Sequence, residues 1–447
     1  MKKFLLVYPP FCTPASPPYS LANMSSFLKK NLKEFEVSVI DLNVLFHNLR
    51  FAEYGKYFRS FQDKLSDYDK ISAKYALETK EVYSRNNRSV VNGKKPELFD
   101  ELVKRITEIN PDFVAFSLVF SSQAFYASAL IDELKKLGIK TVVGGPCVSS
   151  KIKSDYSFND QFELLDFLSK QKIEADNDYP LSFEDFNFKN YFVPEPVIPI
   201  KTASSCYYKQ CSFCTHHKNV LYFEYDLRKF ENFLKTSSVK KIFIIDDMIP
   251  KKRALEIGRI TKKFGVSWMC QLKPTDEYDQ KTLKTLHESG LKILMWGVES
   301  GSDRILKLMR KLTNVKDIEQ VLINSHGAGI RNIVYMMFGF PSETKEEFLH
   351  TIDFLKRNEK FIDLVSTSVF GLQEGTDIFR NPENYGISEI NCEKRTVLEP
   401  KVTYKVSSGL SQEEAKKLRE SFKDTLLRIN KVPKQMNFFR EHMLCLQ

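Results

Sequence analysis

At 447 residues the chain is longer than a single hydrophobic core usually serves, so two or three domains are expected. A hydrophobic content of 42% and an aromatic content of 13% exclude a compositionally disordered chain. The net charge of +10 comes from Lys and Arg spread along the chain, which fits a solvated surface and argues against a nucleic-acid-binding face.

The N-terminal "MKKFLLVYPPFCTP" has an apolar run of five residues before two prolines, too short for a secretory signal, and reads as a first strand. No run approaches the ~18 apolar residues that span a bilayer. Of the eight cysteines, Cys12, Cys147, Cys270, Cys392 and Cys445 are scattered and three are clustered, which is not a disulfide framework. A soluble protein of a reducing cytoplasm, without a membrane partner, is expected.

Over residues 1–150 strand and helix signals alternate. "FLLVY", "EVSVIDL", "DFVAFSLVF" and "TVVGG" are strands; "SSFLKKNLKEF" and "SSQAFYASALIDELKKLG" have helical spacing. Strands this apolar, joined by helices, predict a doubly wound parallel sheet whose ligands sit beyond the strand carboxyl ends. Residues 44–105 interrupt it as a helical insertion, either lid or buttress. Residues 151–170 read as short and irregular, and the acidic, aromatic stretch up to 195 reads as a connector.

From residue 196 a second series begins: "VIPIKTA", "KIFIIDD", "VSWMCQL", "KILMWGVES", "NIVYMMFGF" and "LVSTSVFG", with helical stretches between them. Six such units predict a partial (β/α)6 barrel over 196–380, with its chemistry at the strand carboxyl ends. A small C-terminal helical region, 381–447, carries one amphipathic helix, "SQEEAKKLRESFKDTLLRI", opened by a Ser411–Glu414 capping box.

Directly after the first barrel strand comes "CYYKQCSFC": Cys206, Cys211 and Cys214 in a C-x4-C-x2-C spacing. Thiolates so spaced bind zinc or an iron–sulfur cluster. Zinc would need a fourth ligand, for which His216 or His217 is at hand, but no second C-x2-C pair follows. Three cysteines suit a [4Fe–4S] cubane with one iron left open.

At these residues the chain resembles the radical S-adenosylmethionine (SAM) superfamily, in its branch with an N-terminal cobalamin-binding domain. The resemblance runs over most of residues 1–380. The superfamily's commoner spacing is C-x3-C-x2-C; the extra residue here is similar to versions found among cobalamin-associated members. The resemblance implies a [4Fe–4S] cluster on the three cysteines whose open iron is chelated by SAM. One electron then cleaves SAM to a 5′-deoxyadenosyl radical.

The resemblance also implies a SAM site. It includes Phe213, the aromatic residue before the last cysteine, and Asp246 and Asp247 of "FIIDDM" toward the SAM ammonium. Glu299 and Ser300 of "GVESG" would lie near the ribose. Gly339, Pro341 and Glu343 of "GFPSET" would lie on the adenine and methionine side, with Ser342 in place of the usual Gly. Lys273, at the third strand's end, either binds the SAM carboxylate or reaches solvent. One of the two aspartates also reads as a helix cap.

In the N-terminal domain, "VYPPF", "VSVIDLN", "PDFVAFSLVFSSQ" and "VVGGP" are similar to the cobalamin-binding domain of these enzymes. Ser117, Gly144 and Gly145 match the positions that accommodate cobalamin's nucleotide tail. Taken alone, the Gly pair reads as a tight turn. No D-x-H-x-x-G follows the first strand, so no histidine is set as a lower cobalt ligand; His47 reads as structural and Cys12 as an idle thiol near the corrin position.

The expectation is a cobalamin-dependent radical SAM methyltransferase. Its deoxyadenosyl radical abstracts hydrogen from an unactivated carbon, and methylcobalamin delivers the methyl group. A small-molecule or peptide substrate and a single-electron reductase are the implied partners. The alternatives are a cobalamin-independent or non-methylating radical SAM enzyme, such as one of rearrangement or RNA or peptide modification, and a metal-binding RNA module, which the diffuse charge opposes.

Overall fold

Short apolar strands joined by helices build two parallel sheets and one antiparallel hairpin in the computed structural model, which describes residues 1–215 and 220–446. The chain divides into two units. The first comprises Met1–Pro199, Arg228–Ser237 and Lys394–Pro400; the second comprises Ile200–Leu227, Ser238–Glu393 and Lys401–Gln447.

In the first unit the strands are β1 (Lys2–Tyr8), β2 (Phe35–Asp41), β3 (Phe113–Ser117), β4 (Lys140–Gly144) and β5 (Tyr156–Phe158). They pair in parallel in the order β2-β1-β3-β4-β5. The connections reverse direction between β1 and β3, which makes that junction the topological switch point where such sheets bind ligands. Phe4, Leu5 and Val7 of central β1 are fully buried, which is why its sequence is continuously apolar.

Helix α1 (Tyr19–Asn31) links β1 to β2. The insertion is helical as expected: α2 (Leu42–Arg50), α3 (Ala52–Phe58), α4 (Tyr68–Val91) and α5 (Phe99–Thr107). Asp41 caps α2 by accepting from the Val44 N–H at 2.9 Å. Phe51, Phe58 and Tyr75 interlock edge to face at 5.3–5.5 Å within the insertion, and its Phe46 packs on Phe11 (5.4 Å) and Tyr126 (5.6 Å), so its rings join the core of the first unit. Helix α6 (Ala124–Lys136) joins β3 to β4.

Residues 151–170 are not irregular. They hold β5 and α7 (Gln161–Ser169), with Asp160 accepting from the Phe162 and Glu163 N–H groups as cap. Asp155 ties β5 to β4 through the Thr141 N–H (2.9 Å) and hydroxyl (2.8 Å). A three-residue strand is too short to register as a pattern; its placement depends on this long-range bond. Helix α8 (Leu227–Thr236) supplies most of the 228–237 segment of the first unit.

The second sheet contains β6 (Val197–Ile200), β7 (Lys241–Ile244), β8 (Ser267–Leu272), β9 (Leu291–Glu299), β10 (Arg331–Phe338) and β11 (Leu364–Val369), in the order β11-β10-β9-β8-β7-β6. β7 through β11 pair in parallel. All six strands correspond to the predicted segments, and sequential order in an open parallel sheet is a partial barrel. The intervening helices are α9 (Lys251–Phe264), α10 (Gln280–Glu288), α11 (Asp303–Leu308), α12 (Val315–Gly327) and α13 (Lys345–Arg357), with α14 (Asp377–Arg380) after β11. Trp268 and Trp296 are fully buried; the Trp296 indole donates to Asn332 Oδ1 at 2.8 Å.

The C-terminal region is not purely helical. An antiparallel hairpin, β12 (Ile387–Glu393) and β13 (Lys401–Val406), precedes the helices. Its residues are mostly exposed or half-buried; Val402, Tyr404 and Val406 alternate with polar residues in β13, but β12 carries no regular alternation to mark it as the partner strand. The expected single helix is two, α15 (Gln412–Ser421) and α16 (Lys423–Ile429), parted at Phe422 (φ −98°, ψ 9°). The Ser411–Glu414 capping box forms as expected. The short α17 (Arg440–Leu444) ends the chain. Among the described residues, no helix is long and apolar enough to cross a membrane.

Gly145 has φ +114°, and an added Cβ would lie 2.5 Å from the Leu118 carbonyl oxygen; at Gly144 the nearest contact, the Phe158 oxygen, is 3.4 Å away. Gly145→Ala is expected to lower stability by about 2–4 kcal/mol and Gly144→Ala by about 1 kcal/mol or less. Urea denaturation of both variants checks this, and equal losses would contradict the assignment.

Candidate functional site

The cysteine loop leaves the end of β6, and its first residues are held by one carboxylate. Asp246, just beyond β7 and 4% exposed, accepts from the Thr202 N–H (2.8 Å), the Thr202 hydroxyl (2.6 Å) and the Ala203 N–H (2.8 Å). Burial raises its pKa, against these hydrogen bonds. The buried Arg253 guanidinium of α9 donates to the Thr202 carbonyl at 2.7 Å and to the Tyr225 carbonyl. Asp246 is thus an anchor of the loop. Its neighbour Asp247 is half-buried.

Cys206, Cys211 and Cys214 are unbridged and half-buried. Between the last two, Ser212 is 1% exposed; its hydroxyl donates to the Leu308 carbonyl (2.9 Å) and its N–H to the Met309 carbonyl (3.1 Å). Its own carbonyl accepts from the Ile378 N–H at 3.2 Å. Phe213 packs on an apolar cluster that includes Ile305, Met309, Phe340, Phe370 and Tyr385. The Tyr208 hydroxyl donates to the Arg310 carbonyl. The segment is therefore clamped on both sides of each thiol. His216 and His217, the candidate fourth zinc ligands, lie outside the described residues.

Buried charge surrounds these thiols. Burial pushes the Cys211 thiol up to about 11, opposed by the charge of Lys311 and reinforced by Cys214, Cys206 and Glu299. Lys273 is 5% exposed, so it does not reach solvent; its ammonium lies 3.6 Å from the Tyr208 ring centroid. Burial and then the charge of Lys311 pull its pKa down to about 8. Lys311 is 3% exposed and pairs with Glu299 at 3.3 Å. The structure thus brings together the three cysteines, Lys273 and Glu299, and adds Lys311 and Tyr208. In sequence Lys311 sits in "ILKLMRKLTN", where a lysine reads as one more solvated charge.

Ser300 faces elsewhere. Fully buried, it accepts from the Ser302 N–H (3.1 Å) and lies 3.4 Å from the Thr351 hydroxyl of α13, to which the Gly301 N–H also donates (2.9 Å). Gly339, Pro341 and Glu343 form a turn after β10. The Gly339 N–H donates to Glu343 Oε2 at 2.6 Å, and Gly339 takes φ +71°. Ser342, standing where a glycine was expected, also lies in the left-handed region (φ +69°). Arg304, a residue the sequence did not single out, accounts for its hold: one Nη donates to the Ser342 carbonyl (2.6 Å), the other to its hydroxyl (3.2 Å), while Nε bonds Glu347 (2.7 Å). Glu343 is fully buried, and its Oε1 has no partner among the described residues. Burial pushes its pKa up to about 8, against the Gly339 hydrogen bond.

In the first unit Ser117 ends β3 with its hydroxyl 2.9 Å from that of Ser20. Next to it Leu118 N–H bonds the Gly144 carbonyl (2.8 Å), so Ser117, Gly144 and Gly145 share the carboxyl end of the sheet. Gly145 is required by the Leu118 backbone, whereas the space above Gly144 is not taken by the chain itself. His47 is buried among rings, with Nδ1 2.8 Å from the Tyr75 hydroxyl and its pKa lowered by burial to about 3. It is structural, as expected.

Residues 200–355 match the profile of the Radical SAM superfamily. An uncharacterised methyltransferase of Pyrococcus horikoshii is 23% identical over 414 residues, 78% of this chain and 86% of that protein. Among solved structures, the cobalamin-dependent SAM radical enzyme OxsB superposes with a TM-score of 0.63 at 14% identity, over 95% of this chain and 66% of OxsB. The radical SAM methyltransferase TsrM of Kitasatospora setae gives 0.61 at 15% identity, over 96% and 89%. At such identities the likeness to the two solved structures is one of fold.

Two outcomes follow from this geometry. Asp246→Ala leaves three donors without their acceptor and is expected to cost about 3 kcal/mol or more in urea denaturation, with Asp246→Asn losing less. For Glu343, the folded chain holds a proton up to about pH 8 that the unfolded chain releases near 4.5, so stability falls as pH rises through that window. Glu343→Gln is expected to remove about 2–4 kcal/mol of that fall, read as the difference between denaturation free energies at pH 5 and pH 8.5. An unchanged pH profile would contradict it.

Proposed function

We propose that this chain, which carries a radical SAM domain over residues 200–355, is a cobalamin-dependent methyltransferase acting on an unactivated carbon. The observation that carries this reading is a rigid loop offering three unbridged thiols. The methyltransferase name of the Pyrococcus relative and the full-length fold likeness to two cobalamin enzymes support it.

The donor set fits the cluster. A single tetrahedral ion draws its thiolates to about 3.8 Å of one another, given bonds of about 2.3 Å. A cubane instead binds each thiolate on a different iron. In the first unit, the small residues Gly144 and Gly145 at the sheet's carboxyl end would let a bulky ligand lie against backbone, and His47, the only histidine in residues 1–199, is buried.

When bound, the cluster supplies the electron that splits SAM into methionine and a 5′-deoxyadenosyl radical, and cobalamin carries the methyl group. Cys206, Cys211 and Cys214 hold the cluster. Lys273, excluded from solvent, offers a cation to the SAM carboxylate, and Asp247, beside the fully engaged Asp246, offers a carboxylate to its ammonium. Glu299 serves the ribose. Phe213 and the Gly339–Glu343 turn line the side of the nucleoside and the methionine. Ser117, Gly144 and Gly145 serve the cobalamin tail. Burial of the charged groups keeps water from a reactive radical. The substrate is a small molecule or peptide, and a single-electron reductase is the partner.

Anaerobic reconstitution with iron, sulfide and hydroxocobalamin tests the reading. About four irons per chain and a corrin spectrum are expected, with 5′-deoxyadenosine formed from SAM under reduction. Replacing Cys206, Cys211 and Cys214 together by Ala is expected to abolish iron binding and SAM cleavage while leaving the corrin spectrum. Zinc without iron in the wild-type protein would overturn the proposal; four irons without corrin would remove cobalamin and methylation from it.

A further inference from the structure

Lys311 is the one residue near the thiols that no sequence motif explains, and the chain takes on conformational strain to deliver it. It lies in the turn after α11, closed by its N–H on the Leu306 carbonyl at 3.0 Å. Both its neighbours, Arg310 (φ 56°) and Leu312 (φ 45°), occupy the left-handed region, and so does its partner Glu299 (φ 72°). Three non-glycine residues in that region are each unfavourable by about 1 kcal/mol, and such strain gathers at functional sites. Leu312 is moreover left 70% exposed, so the turn is not arranged for the benefit of its apolar residue.

The Lys311–Glu299 pair lies directly on the β9 backbone. A Cβ at Gly297 would stand 2.9 Å from Glu299 Oε1 and 3.1 Å from Lys311 Nζ, so the absence of a side chain there makes room for both charged groups. The two side chains are 4% and 13% exposed. A buried ion pair generally returns little net stability after desolvation, so retaining one is weak as a stability device. The turn that carries Lys311 is bonded to the cysteine loop: the Tyr208 hydroxyl donates to the Arg310 carbonyl and the Ser212 N–H to the Met309 carbonyl at 3.1 Å.

We infer that the Lys311–Glu299 pair sets the electrostatic field at the three-cysteine loop, with Lys311 as the positioning residue that orients Glu299 and eases electron uptake by a cluster bound there. The inference rests on the cluster reading of the cysteines and goes beyond it by assigning a redox role to two residues outside the cysteine motif. The step itself is simple. One electron, supplied by a single-electron donor, adds one negative charge to the cluster, and a buried cation nearby favours the reduced form while a buried anion disfavours it. In a water-poor site each charge is expected to change the reduced fraction at a fixed potential by about tenfold or more.

The test is a mediated redox titration of the reconstituted protein, read by electron paramagnetic resonance and normalised to iron content. Lys311→Met is expected to move the midpoint to more negative potential and Glu299→Gln to less negative potential. The double variant should return near the wild-type value, and Lys311→Arg should preserve it. A purely structural role would lower iron content in both single variants without opposite shifts. Unchanged or same-direction shifts at full iron content overturn the inference alone. Should Lys311→Met fail to retain iron, the sign of the Glu299→Gln shift decides by itself. A wild-type protein without iron overturns the cluster reading and this inference with it.

Discussion

The acceptor capacity of one buried carboxylate is the constraint on which the candidate site depends. Asp246, carried just beyond β7, takes both backbone and side-chain donors of Thr202 and the N–H of Ala203 as the chain leaves β6. Two adjacent strand ends are thereby joined, and the cysteine loop starts from a fixed point. At its other end, Ser212 spends its N–H, hydroxyl and carbonyl on Leu308, Met309 and Ile378. Cys206 and Cys211 sit between these two clamps and Cys214 lies two residues past the second, so their arrangement follows from the packing of β6, β7 and α11 and not from the loop's own preference. Buried donors without partners would be unfavourable, which makes the arrangement cooperative.

Around that loop the second unit accepts buried charge that a purely structural sheet would avoid. Lys273 stacks over Tyr208, Lys311 pairs with Glu299 above Gly297, and Arg304 spans Ser342 and Glu347. The two lysines are excluded from water but compensated by a partner, which is the condition under which such charges persist in an interior, whereas Arg304 is half-exposed. Left-handed backbone at Glu299, Arg310, Leu312 and Ser342 accompanies them. Strain and buried charge thus coincide at the carboxyl ends of the strands, where barrels of this kind keep their chemistry.

The first unit is organised on different terms. Its sheet reverses direction between β1 and β3, and Gly145 is demanded by the Leu118 carbonyl while Gly144 is not crowded by the chain. The helical insertion does not hang free; Phe46 and Phe58 pack on Phe11, Tyr126 and Phe192 outside it, with His47 kept neutral among the rings. Its aromatic richness therefore reflects core formation.

Periodicity and spacing determined the strand series of both sheets and the cysteine triad, and the family resemblance marked the segments "GVESG" and "GFPSET", because continuous apolar strands and short motifs are local features. The capping box at Ser411 was legible for the same reason. What local pattern did not carry was β5, the β12–β13 hairpin, the break at Phe422, and the roles of individual polar groups. Asp246 was a candidate ligand in sequence and is a loop anchor in the fold; Lys273 was left between ligand and solvent and is buried; Lys311 and Arg304 were indistinguishable from surface charge. Those outcomes depend on partners 12 to 65 residues away, Glu299 for Lys311, Thr202 for Asp246 and Tyr208 for Lys273. A side chain's exposure and charge state are set by what tertiary packing brings against it, and only the folded chain decides that.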